Sequence, residues 1–521
     1  MKKKLKIGIF LNNKAKLCDG QIRIISKLVN SNFIDLKYVF NYEQEEKINL
    51  ISNILYKFIK KIEKKYLLIK RKKELKFIIK KISKTQSFFL NKNNKDVFLK
   101  NKKNIKNLKK IDLLLFFEKN EITKSKIVNY PKQGSWTLNF GVNDFIYTGF
   151  WESLLKNEVT KVELQKIFTN NSKNNFSIVD HGFYSTKISS WFLNRDFVLE
   201  KAAILVEKNI KLLFLNHKRK KIKNKFNKTR KNPSFVSFIT YIIIKYPNAF
   251  IRKAFIKIFY LSKNLKRPEP DFNPWNIHIG NKNGNKLEPF KDSIRIKPND
   301  DEAWADPFLI SNNENDYLFF ENFEFKKQKG KISYTRILNN KSTKVFDALN
   351  LKHHLSYPYI WKEKKNFFMM PETGEKKCVE IWKAKKFPKN WFLYKRLFVG
   401  QSCVDTTFLD VKNGDRWIFT NKSDDKYNDH NSELYLFKTD KKFTRIIPHK
   451  LNPVITDSRI ARNAGNIFYD DKNRIIRPSQ INILNFYGKG LNLRIIKKLN
   501  INEYKEITLK SFFPNFKKGI N

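Results

Sequence analysis

The sequence predicts an α/β open parallel sheet of Rossmann-like type, followed by an all-β five-bladed propeller. The first half alternates short apolar strands with amphipathic helices, whereas the second half contains many short aromatic strands separated by turn residues. At 521 residues the chain is too long for one ordinary core, so two domains are expected. We place the α/β domain at 1–215, a basic and apolar helical linker at 216–270, and the propeller at 271–521.

The α/β prediction comes from the order of elements in the first 215 residues. "KIGIFL" and "IDLKYVF" read as buried strands around the helical stretch "DGQIRIISKLVNS", and a Lys-rich helical insertion is expected at about 44–82. "IDLLLFF" is apolar throughout, as in strands buried on both faces of a parallel sheet. "SWTLNFG" and "VTKVELQKI" predict two more strands, and "NRDFVLEKAAILVEKNIKLL" predicts a closing helix. Alternating βα units favour a mostly parallel sheet.

The segment 216–270 combines a basic run with a short apolar stretch. The apolar part, Phe235–Ile244, is much shorter than the roughly 20 residues that span a bilayer. Two interpretations remain open for it. Basic flanks around an aromatic-rich apolar stretch are typical of an interfacial anchor on anionic lipid, and a helix with one apolar face is also typical of packing between two domains.

The propeller prediction comes from a repeat after Asp271. An acidic or aromatic strand ("WADPFLI", "HLSYPYIW", "CVDTTFLD", "ARNAGNIFYD") precedes a polar turn and a second aromatic strand ("YLFFE", "FFMMPE", "RWIFTN", "RIIRPSQ"). Many short strands in a repeat of this length indicate blades of a propeller. Four blades are legible, and we expect a fifth to be closed by the two ends of the domain, including "DSIRIKP".

Composition narrows the function classes. The 41% hydrophobic and 15% aromatic residues exclude a disordered chain. The net charge of +57 favours anionic partners, but abundant Lys, Asn, Ile and Phe also fit A+T-rich coding DNA, and no nucleic-acid-reading module is present. We therefore expect no specific nucleic acid. Three scattered cysteines fit a reducing compartment without a metal site, and the N-terminal apolar run is shorter than a signal-peptide core. A cytoplasmic protein is expected, either free or peripheral on the inner membrane.

The propeller repeat brings a set of polar residues to one channel. First strands contribute Asp306, His354 or Tyr357, Asp405, Arg462 and Asn463, and second strands contribute Glu321 and Glu372. Facing carboxyl groups are what glycosidic-bond chemistry needs, because one protonates the leaving oxygen while another activates water or attacks carbon. We expect Asp306 to act as base or nucleophile, Glu372 as acid and Asp405 as orienter. Arg462 would hold an anionic sugar or a phosphate.

Aromatic residues near these positions have two interpretations. They can stack on sugar faces, or they can be core residues while Asp-Pro and Asp-Thr fix blade turns. The aromatic residues concerned are Trp304, Tyr357, Tyr359, Trp361 and Trp382.

The second half resembles a known family. The ordered motifs "DEAWADPFLI…YLFFENF…HLSYPYIW…NFFMMPET…CVDTTFL…ARNAGNIF" resemble the propeller domain of glucosamine inositolphosphorylceramide transferases and their bacterial relatives. That domain is similar to the five-bladed glycosidases of the arabinanase, xylosidase and fructosidase type. The family's recurring acids fall on Asp306, Glu372 and Asp405. The resemblance implies a sugar-recognising propeller and does not by itself imply sugar transfer.

The first half resembles the formyltransferase N-terminal domain found fused to such propellers. Trp136, Gly141, "GFWE" and the Val, Leu and Gln of "VTKVELQ" match that domain. The resemblance implies formyl transfer from a folate carrier to an amine. The family's catalytic imidazole falls on Asn139, however, and its aspartate falls near Asn174. An amide cannot shuttle protons near neutral pH, so the chemistry is expected to be lost.

Nearby polar residues of the first half leave two further possibilities. Asp180 or His181 would replace the missing pair, or they are structural. Asn139, Asn143 and Asp144 would still bind a polar ligand without turning it over.

Together these observations predict a carbohydrate-active protein of bacterial surface-glycan or glycolipid metabolism. Its partner would be a sugar, nucleotide-sugar or glycolipid, with peripheral contact to an anionic membrane. Whether it is a glycosidase- or glycosyltransferase-associated enzyme stays open. One alternative is a non-catalytic glycan-binding or scaffold protein. The other is an amino-sugar N-formyltransferase, and only that alternative needs a cofactor, the folate formyl donor.

Overall fold

A computed structural model describes most of the chain. The described residues are 3–12, 17–42, 50–63, 72–83, 85–90, 101–117, 123, 125–170, 173–217, 229–247, 275–280, 293–296, 298–299, 301–313, 315–338, 341–412 and 414–513. They form two compact units, Met1–Arg252 and Lys253–Asn521. Among these residues, no helix is both long and apolar enough to cross a bilayer.

The first unit is built on a seven-stranded sheet. Its strands are β1 Leu5–Asn12, β2 Ile34–Tyr42, β3 Gln86–Leu90, β4 Leu113–Phe116, β5 Ser135–Asn139, β6 Val159–Asn170 and β7 Lys173–Ser185. The order is β3-β2-β1-β4-β5-β6-β7; the first five strands in this order pair in parallel, and β6 and β7 are antiparallel. The predicted open, mostly parallel α/β sheet is therefore confirmed.

Aromatic side chains tie the parallel strands together. Phe116, Phe10, Phe40 and Phe88 occupy paired positions on β4, β1, β2 and β3. Their rings stack in sequence, with centroids 4.6, 4.7 and 5.2 Å apart. Because these rings fill one face near the carboxyl ends of the strands, they fix the register there and hold the sheet against its helices.

Helices cover the sheet of the first unit. They are α1 Asp19–Asn30, α2 Leu50–Ile62, α3 Lys72–Ser83, α4 Lys102–Lys109, α5 Phe150–Leu154 and α6 Trp191–Phe214. The predicted Lys-rich insertion corresponds to α2 and α3, and its remaining residues lie outside the described part. The predicted closing helix is α6. Its many fully buried residues, with α1 packed against it, show that it is a core helix rather than a surface one.

The predicted linker 216–270 is described at 216–217 and 229–247. Residues 235–247 form a helix, and Phe238 and Tyr241 are buried in a cluster with Trp191, Phe192 and Phe150. This part of the segment therefore belongs to the core of the first unit. The rest of the predicted linker lies outside the described residues.

In its described residues, the second unit consists mainly of four antiparallel sheets, three with four strands and one with five. Blade 1 contains β10 Glu302–Asn312, β11 Asn315–Glu324, β12 Lys329–Leu338 and β13 Lys341–Leu349, and blade 2 contains β14 Ser356–Glu363, β15 Asn366–Glu372, β16 Val379–Lys386 and β17 Lys389–Leu397. Blade 3 contains β18 Ser402–Asp410, β19 Arg416–Ser423, β20 Glu433–Thr439 and β21 Ile447–Pro448, with β22 Ile455–Thr456 also paired to β20. Blade 4 contains β23 Phe468–Tyr469, β24 Ile475–Ile483, β25 Phe486–Leu499 and β26 Tyr504–Phe512. This arrangement confirms a propeller-like all-β unit.

The prediction of five blades is wrong for the described residues, which form four. The strand expected within "DSIRIKP" exists as β9 Ile294–Ile296, but it pairs with β8 Ile277–Ile279 in a separate two-stranded sheet. Ile277 and Ile296 are buried with Trp304, Leu318 and Phe320 of blade 1. A three-residue strand pair can cover the flank of a blade, but it is too short to build one.

Candidate functional site

The same backbone irregularity recurs in the first strand of three blades. Asp306, Tyr357 and Asp405 have φ angles of 50, 45 and 46°, and the strand register shifts around each of them. Residues other than glycine rarely adopt this left-handed backbone conformation, which costs about 1–3 kcal/mol per residue. Such bulges re-aim side chains and are frequent beside functional sites. The structure therefore gives "ADPF", "SYPY" and "VDTT" one equivalent position.

A second polar position lies on the neighbouring strand of each blade. Glu321 pairs with Ala305, Glu372 with Ser356, and Asn421 with Val404. In every case the partner on the first strand directly precedes the bulged residue. The repeat thus places one side chain from the bulge and one from the second strand at the same end of each blade.

Four carboxyl groups from three blades form one electrostatic cluster. Burial, followed by the charges of Asp306, Glu372 and Asp405, holds the pKa of Glu321 well above its usual range. Burial and Asp405 do the same to the pKa of Glu372, which Arg462 partly opposes. Asp306, Glu321, Glu372 and Asp405 therefore lie close enough for their charges to act on Glu321 and Glu372. Two of the four carboxyl groups favour the protonated form.

Arg462 reaches Asp405 from the segment before β23, which joins blade 4 through a β-bridge between Asn463 and Ser479. Its Nε donates to Asp405 Oδ2 at 2.6 Å and its Nη2 to Oδ1 at 3.3 Å, while Nη1 donates to Asn431 at 3.0 Å. Its Nη2 also lies 3.9 Å from Glu372 Oε2. Burial opposes the charge of Arg462, but Asp405, Tyr487 and Glu372 together outweigh it and raise the pKa of Arg462 well above its usual range. Arg462 is thus engaged with protein groups, and its predicted role of holding an anionic sugar or phosphate gives way to holding Asp405.

Tyr357 joins three blades. Its backbone N–H donates to Asp306 Oδ2 at 3.1 Å, and its hydroxyl donates to the Gly465 carbonyl at 3.1 Å while accepting from Gly465 N–H at 3.0 Å. Burial and the charge of Asp405 raise the pKa of Tyr357 well above its usual range, so the hydroxyl keeps its proton. Tyr357 braces the site and orients Asp306.

His354 faces Glu321 in a fixed tautomer. Its Nδ1 accepts from Gly330 N–H at 2.9 Å, so the ring proton lies on Nε2, 3.4 Å from Glu321 Oε1. Burial lowers the pKa of His354, which favours this neutral form. Gly330 permits the arrangement, because a Cβ there would lie 2.5 Å from the Leu355 carbonyl oxygen and 2.8 Å from Glu321 Oε1. Of the two alternatives for blade 2, Tyr357 is the bulged residue and His354 supports Glu321.

Blade 4 contributes a hydrogen-bonded support that sequence reasoning found only in part. Asn463 Nδ2 donates to the Asp405 carbonyl at 2.8 Å, and its backbone N–H donates to Asn421 Oδ1 at 3.0 Å. Arg477 then fixes this segment, because it donates to Asn463 Oδ1 at 3.2 Å and to the Ile460 carbonyl at 2.6 Å. Asn421 and Arg477 were not predicted. The repeated alignment of second strands could have identified Asn421.

The predicted aromatic platform is mostly core. Trp304 is buried against Phe320, with ring centroids 4.7 Å apart, and its Nε1 donates to Glu302 at 3.2 Å. Tyr359, Trp361 and Trp382 belong to or pack against the hydrophobic core of the blades. Besides Tyr357, the ring of Tyr487 lies at the site, where it stacks on the Arg462 guanidinium at 4.7 Å; Tyr487 was not predicted.

In the first unit, Asn139 is held by its own neighbours. It ends β5; its Nδ2 donates to Glu163 at 3.0 Å and its Oδ1 accepts from Gly141 N–H at 3.2 Å. Glu163 also accepts from Gln165 at 2.6 Å and pairs with Lys161 at 2.5 Å. Burial raises the pKa of Glu163, but the hydrogen bond and charge of Lys161 outweigh it, so this pKa lies below its ordinary value. Glu163 was not predicted.

The other residues proposed for this region are not brought together. Asn143 and Asp144 are exposed, and Asp144 hydrogen-bonds Asn232. Asn174 pairs with Thr169, six residues along β6 from the position opposite Asn139, which is about 20 Å of strand.

Asp180 is committed to α6. It accepts from Asn209 at 2.9 Å and from Lys208 at 3.1 Å. Burial opposes ionisation, but the charge of Lys208 and the hydrogen bonds from Asn209, Lys208 and the His181 N–H together outweigh it and lower the pKa of Asp180. Asp180 and His181, the residue beside it, lie on β7, which is separated from β5 by β6. Asp180 therefore does not replace the missing catalytic pair.

Within the described part of the chain, no group of three or more His, Cys, Asp or Glu side chains is placed to hold a metal ion.

Comparisons with known proteins concern the second unit. Residues 296–521 match the family model described as glucosamine inositolphosphorylceramide transferase 1, N-terminal. The protein of that name from Oryza sativa subsp. japonica is 32% identical over 221 residues, which are 42% of this chain and 29% of that protein. The one from Arabidopsis thaliana is 28% identical over 221 residues, 42% of this chain and 28% of that protein. The match thus spans less than a third of these plant relatives, and it supports the predicted resemblance of the propeller.

Solved structures give weaker similarities. The catalytic domain of the Coprinopsis cinerea GH62 α-L-arabinofuranosidase has a TM-score of 0.31 and 11% identity, covering 45% of this chain and 74% of its own. An exo-β-1,3-galactanase from Clostridium thermocellum has a TM-score of 0.31 and 9% identity, covering 39% of this chain and 49% of its own.

Proposed function

We propose that the second unit binds a sugar or a glycolipid headgroup at the four-carboxyl cluster and breaks or forms a glycosidic bond there. The observation that carries this proposal is the pairing of a carboxyl group of raised pKa, Glu372, with Asp405, which is itself held by Arg462. The matched family supports the substrate class, because its name specifies glucosamine and inositolphosphorylceramide.

Glu372 is the acid of this reaction. Its raised pKa favours the protonated carboxyl group that an acid in this reaction requires. In the reaction that proton passes to the leaving oxygen as the bond from this oxygen to the anomeric carbon breaks. Asp405 remains beside the developing positive charge of the sugar ring and stabilises it.

Asp306 is the base. It is half-buried, and its Oδ2 is oriented by the Tyr357 N–H. It takes the proton of the attacking hydroxyl, which belongs to water in hydrolysis and to a sugar or glycolipid in transfer. Glu321 completes the cluster as a second protonated carboxyl group that can donate a hydrogen bond to a sugar hydroxyl.

A second candidate function is glycan binding without turnover. Two observations favour it. Blade 2 carries Tyr357 where blades 1 and 3 carry aspartates, and the carboxylate of Asp405 is already hydrogen-bonded to Arg462. Such a site has a single aspartate facing the ligand, Asp306, without the full set of acids.

The two functions are separated by offering the full-length protein aryl glycosides, and nucleotide-sugars together with a glycolipid acceptor, with products followed by mass spectrometry. Turnover that disappears in Glu372→Gln and persists in Glu375→Gln, an exposed neighbour, supports the catalytic function. Binding without product in the parent protein supports the binding function. If the protein neither binds nor converts any of these compounds, both functions are refuted.

We propose further that the α/β unit does not transfer a formyl group. Asn139 cannot take the proton that the amine loses, and its hydrogen bonds to Glu163 and Gly141 hold it in place. Folate-dependent formylation of an amino-sugar nucleotide by the purified protein would reverse this assignment and restore the formyltransferase alternative.

A further inference from the structure

Helix α2 exposes an apolar stripe. Tyr56 and Ile59 face the core, whereas Ile54, Phe58 and Ile62 are 60, 48 and 48% exposed. The three exposed residues are four positions apart, so they follow one side of the helix. Single exposed apolar residues need no explanation, but a stripe of three large ones on one helix does.

The helix at 235–247 exposes apolar residues in the same way. Phe238 and Tyr241 are fully buried, while Phe235, Val236 and Ile243 are 47, 68 and 63% exposed. Val236 and Ile243 are seven residues apart and therefore lie on one side of the helix. The outward face of this helix is thus apolar as well.

The two helices are neighbours in the first unit. Glu63, the residue after α2, accepts from the Tyr241 hydroxyl at 3.0 Å and from the Tyr246 hydroxyl at 3.3 Å. Both helices also contribute to the cluster around Trp191 and Phe192. The exposed apolar residues of α2 and of 235–247 therefore lie on adjacent helices; we refer to Ile54, Phe58, Ile62, Phe235, Val236 and Ile243 as the helical face.

The charged residues within the two helices of the helical face are all basic. Segment 50–62 contains Lys57, Lys60 and Lys61 and no acidic residue, and segment 235–247 also contains no acidic residue. The three lysines of α2 are exposed. Glu63 is buried and its carboxylate is held by Ser190, Tyr241 and the Phe192 N–H. Nothing on these two helices would repel an anionic surface.

We propose that the helical face docks on an anionic phospholipid surface. The large apolar side chains enter the boundary between headgroups and acyl chains, and the lysines of α2 contact lipid phosphates. A surface that is both apolar and purely basic complements anionic lipid, because that environment offers hydrocarbon and negative charge within one layer. This docking is independent of the sugar site in the second unit.

The test must separate the helical face from the general charge of the protein, since a chain of net charge +57 adsorbs on anionic vesicles unspecifically. Full-length variants are compared by co-sedimentation with vesicles of phosphatidylcholine alone or mixed equally with phosphatidylglycerol. The face variants are Ile54→Ser with Ile62→Ser, and Lys57→Gln with Lys60→Gln and Lys61→Gln. The matched controls are Leu309→Ser with Leu338→Ser, and Lys385→Gln with Lys386→Gln and Lys389→Gln, which change equally exposed residues of the propeller.

The lysine variant of the helical face is expected to weaken binding to the mixed vesicles by about fivefold per lysine. The isoleucine variant is expected to weaken it by at least about tenfold. The controls should lie close to the parent protein, with circular dichroism confirming that all variants fold. Equal losses in face and control variants, or equal binding of the parent to both vesicle types, would overturn the proposal.

Insertion has its own readout. Phe58→Trp keeps a large aromatic ring at the centre of the stripe, and its added fluorescence is expected to be quenched by brominated lipid in the mixed vesicles. Leu309→Trp on the propeller should show no such quenching. An unquenched tryptophan at position 58 would show that the helical face does not enter lipid, leaving a protein partner as its occupant and the proposal refuted.

Discussion

Arg462 holds Asp405 with two nitrogen atoms, at 2.6 and 3.3 Å, and the same guanidinium lies 3.9 Å from Glu372. The two contacts act on Glu372 in opposite directions, because Asp405 raises the pKa of Glu372 and Arg462 lowers it. The balance between these two charges therefore sets the pKa of Glu372. The ion pair of Arg462 with Asp405 joins the segment before β23 to blade 3 at the point where the chemistry is proposed.

Replacing Asp405 and replacing Arg462 are expected to move the pKa of Glu372 in opposite directions. Asp405→Asn removes a negative charge and lowers that pKa, whereas Arg462→Met removes the opposing positive charge and raises it. The alkaline limb of a pH–rate profile, or a carbon NMR titration of the glutamate carboxyls, measures the shift. Shifts of the same sign in both variants would contradict this arrangement.

Stability is expected to fall as pH rises above the unfolded-state pKa of glutamate. The raised folded-state pKa values of Glu321 and Glu372 mean that the folded protein holds protons that the unfolded chain has released. Their stabilising contribution is thus complete below about pH 4 and is lost as pH rises through the folded-state pKa, at up to about 1.4 kcal/mol per pH unit and group. Thermal unfolding of Glu321→Gln should show a shallower decline than the parent. A decline of equal slope would remove the proposed burial of this proton.

Arg477 is expected to be necessary for stability of the propeller. It is fully buried, and its Nε and Nη2 bind Glu506 at 2.9 and 2.7 Å. Arg477→Met leaves Glu506 with Arg494 as its remaining arginine partner and should cost about 3 kcal/mol of unfolding free energy. Denaturant unfolding measures the change. Lys326→Met, which breaks an exposed pair with Asp301, is the control and should cost far less.

Gly330 is expected to reject a methyl group. The added Cβ would lie 2.5 Å from the Leu355 carbonyl oxygen and 2.8 Å from both Glu321 Oε1 and His354 Cε1. Gly330→Ala should therefore cost about 1–3 kcal/mol and weaken any ligand that contacts Glu321. Gly374→Ala meets only ordinary contacts at 3.6 and 3.7 Å and serves as the control. Equal stability of the two variants would contradict the close packing around His354.

The acidic residues of the candidate site could be predicted from the sequence because each belongs to a repeated strand motif. Asp306 and Asp405 occupy equivalent bulges, and Glu321 and Glu372 occupy equivalent positions on second strands. Periodicity and repeats encode such positions directly. The same reasoning located the α/β sheet and the four-blade pattern.

The contacts that individual side chains and strands make could not be predicted in the same way. Arg462 was expected to face the ligand, but its donors reach Asp405, 57 residues earlier in the chain. Trp304 was expected to face a sugar, yet it is buried by Phe320 and by the small sheet of β8 and β9. The fifth blade failed for a related reason, since the pattern of one strand does not reveal which strand pairs with it. Tyr487 lies at the start of β25, outside the repeated strand motifs.

The central claim is that a sugar binds at the carboxyl cluster of the second unit. Its most direct test is a glycan and nucleotide-sugar binding screen on the full-length protein, with Asp306→Asn compared with Asp316→Asn, an exposed aspartate two strand positions from the β10–β11 turn. We predict that the parent and Asp316→Asn bind the same sugar and that Asp306→Asn binds it at least about tenfold more weakly, the loss of one charge-assisted hydrogen bond. Unchanged binding by Asp306→Asn would contradict the account.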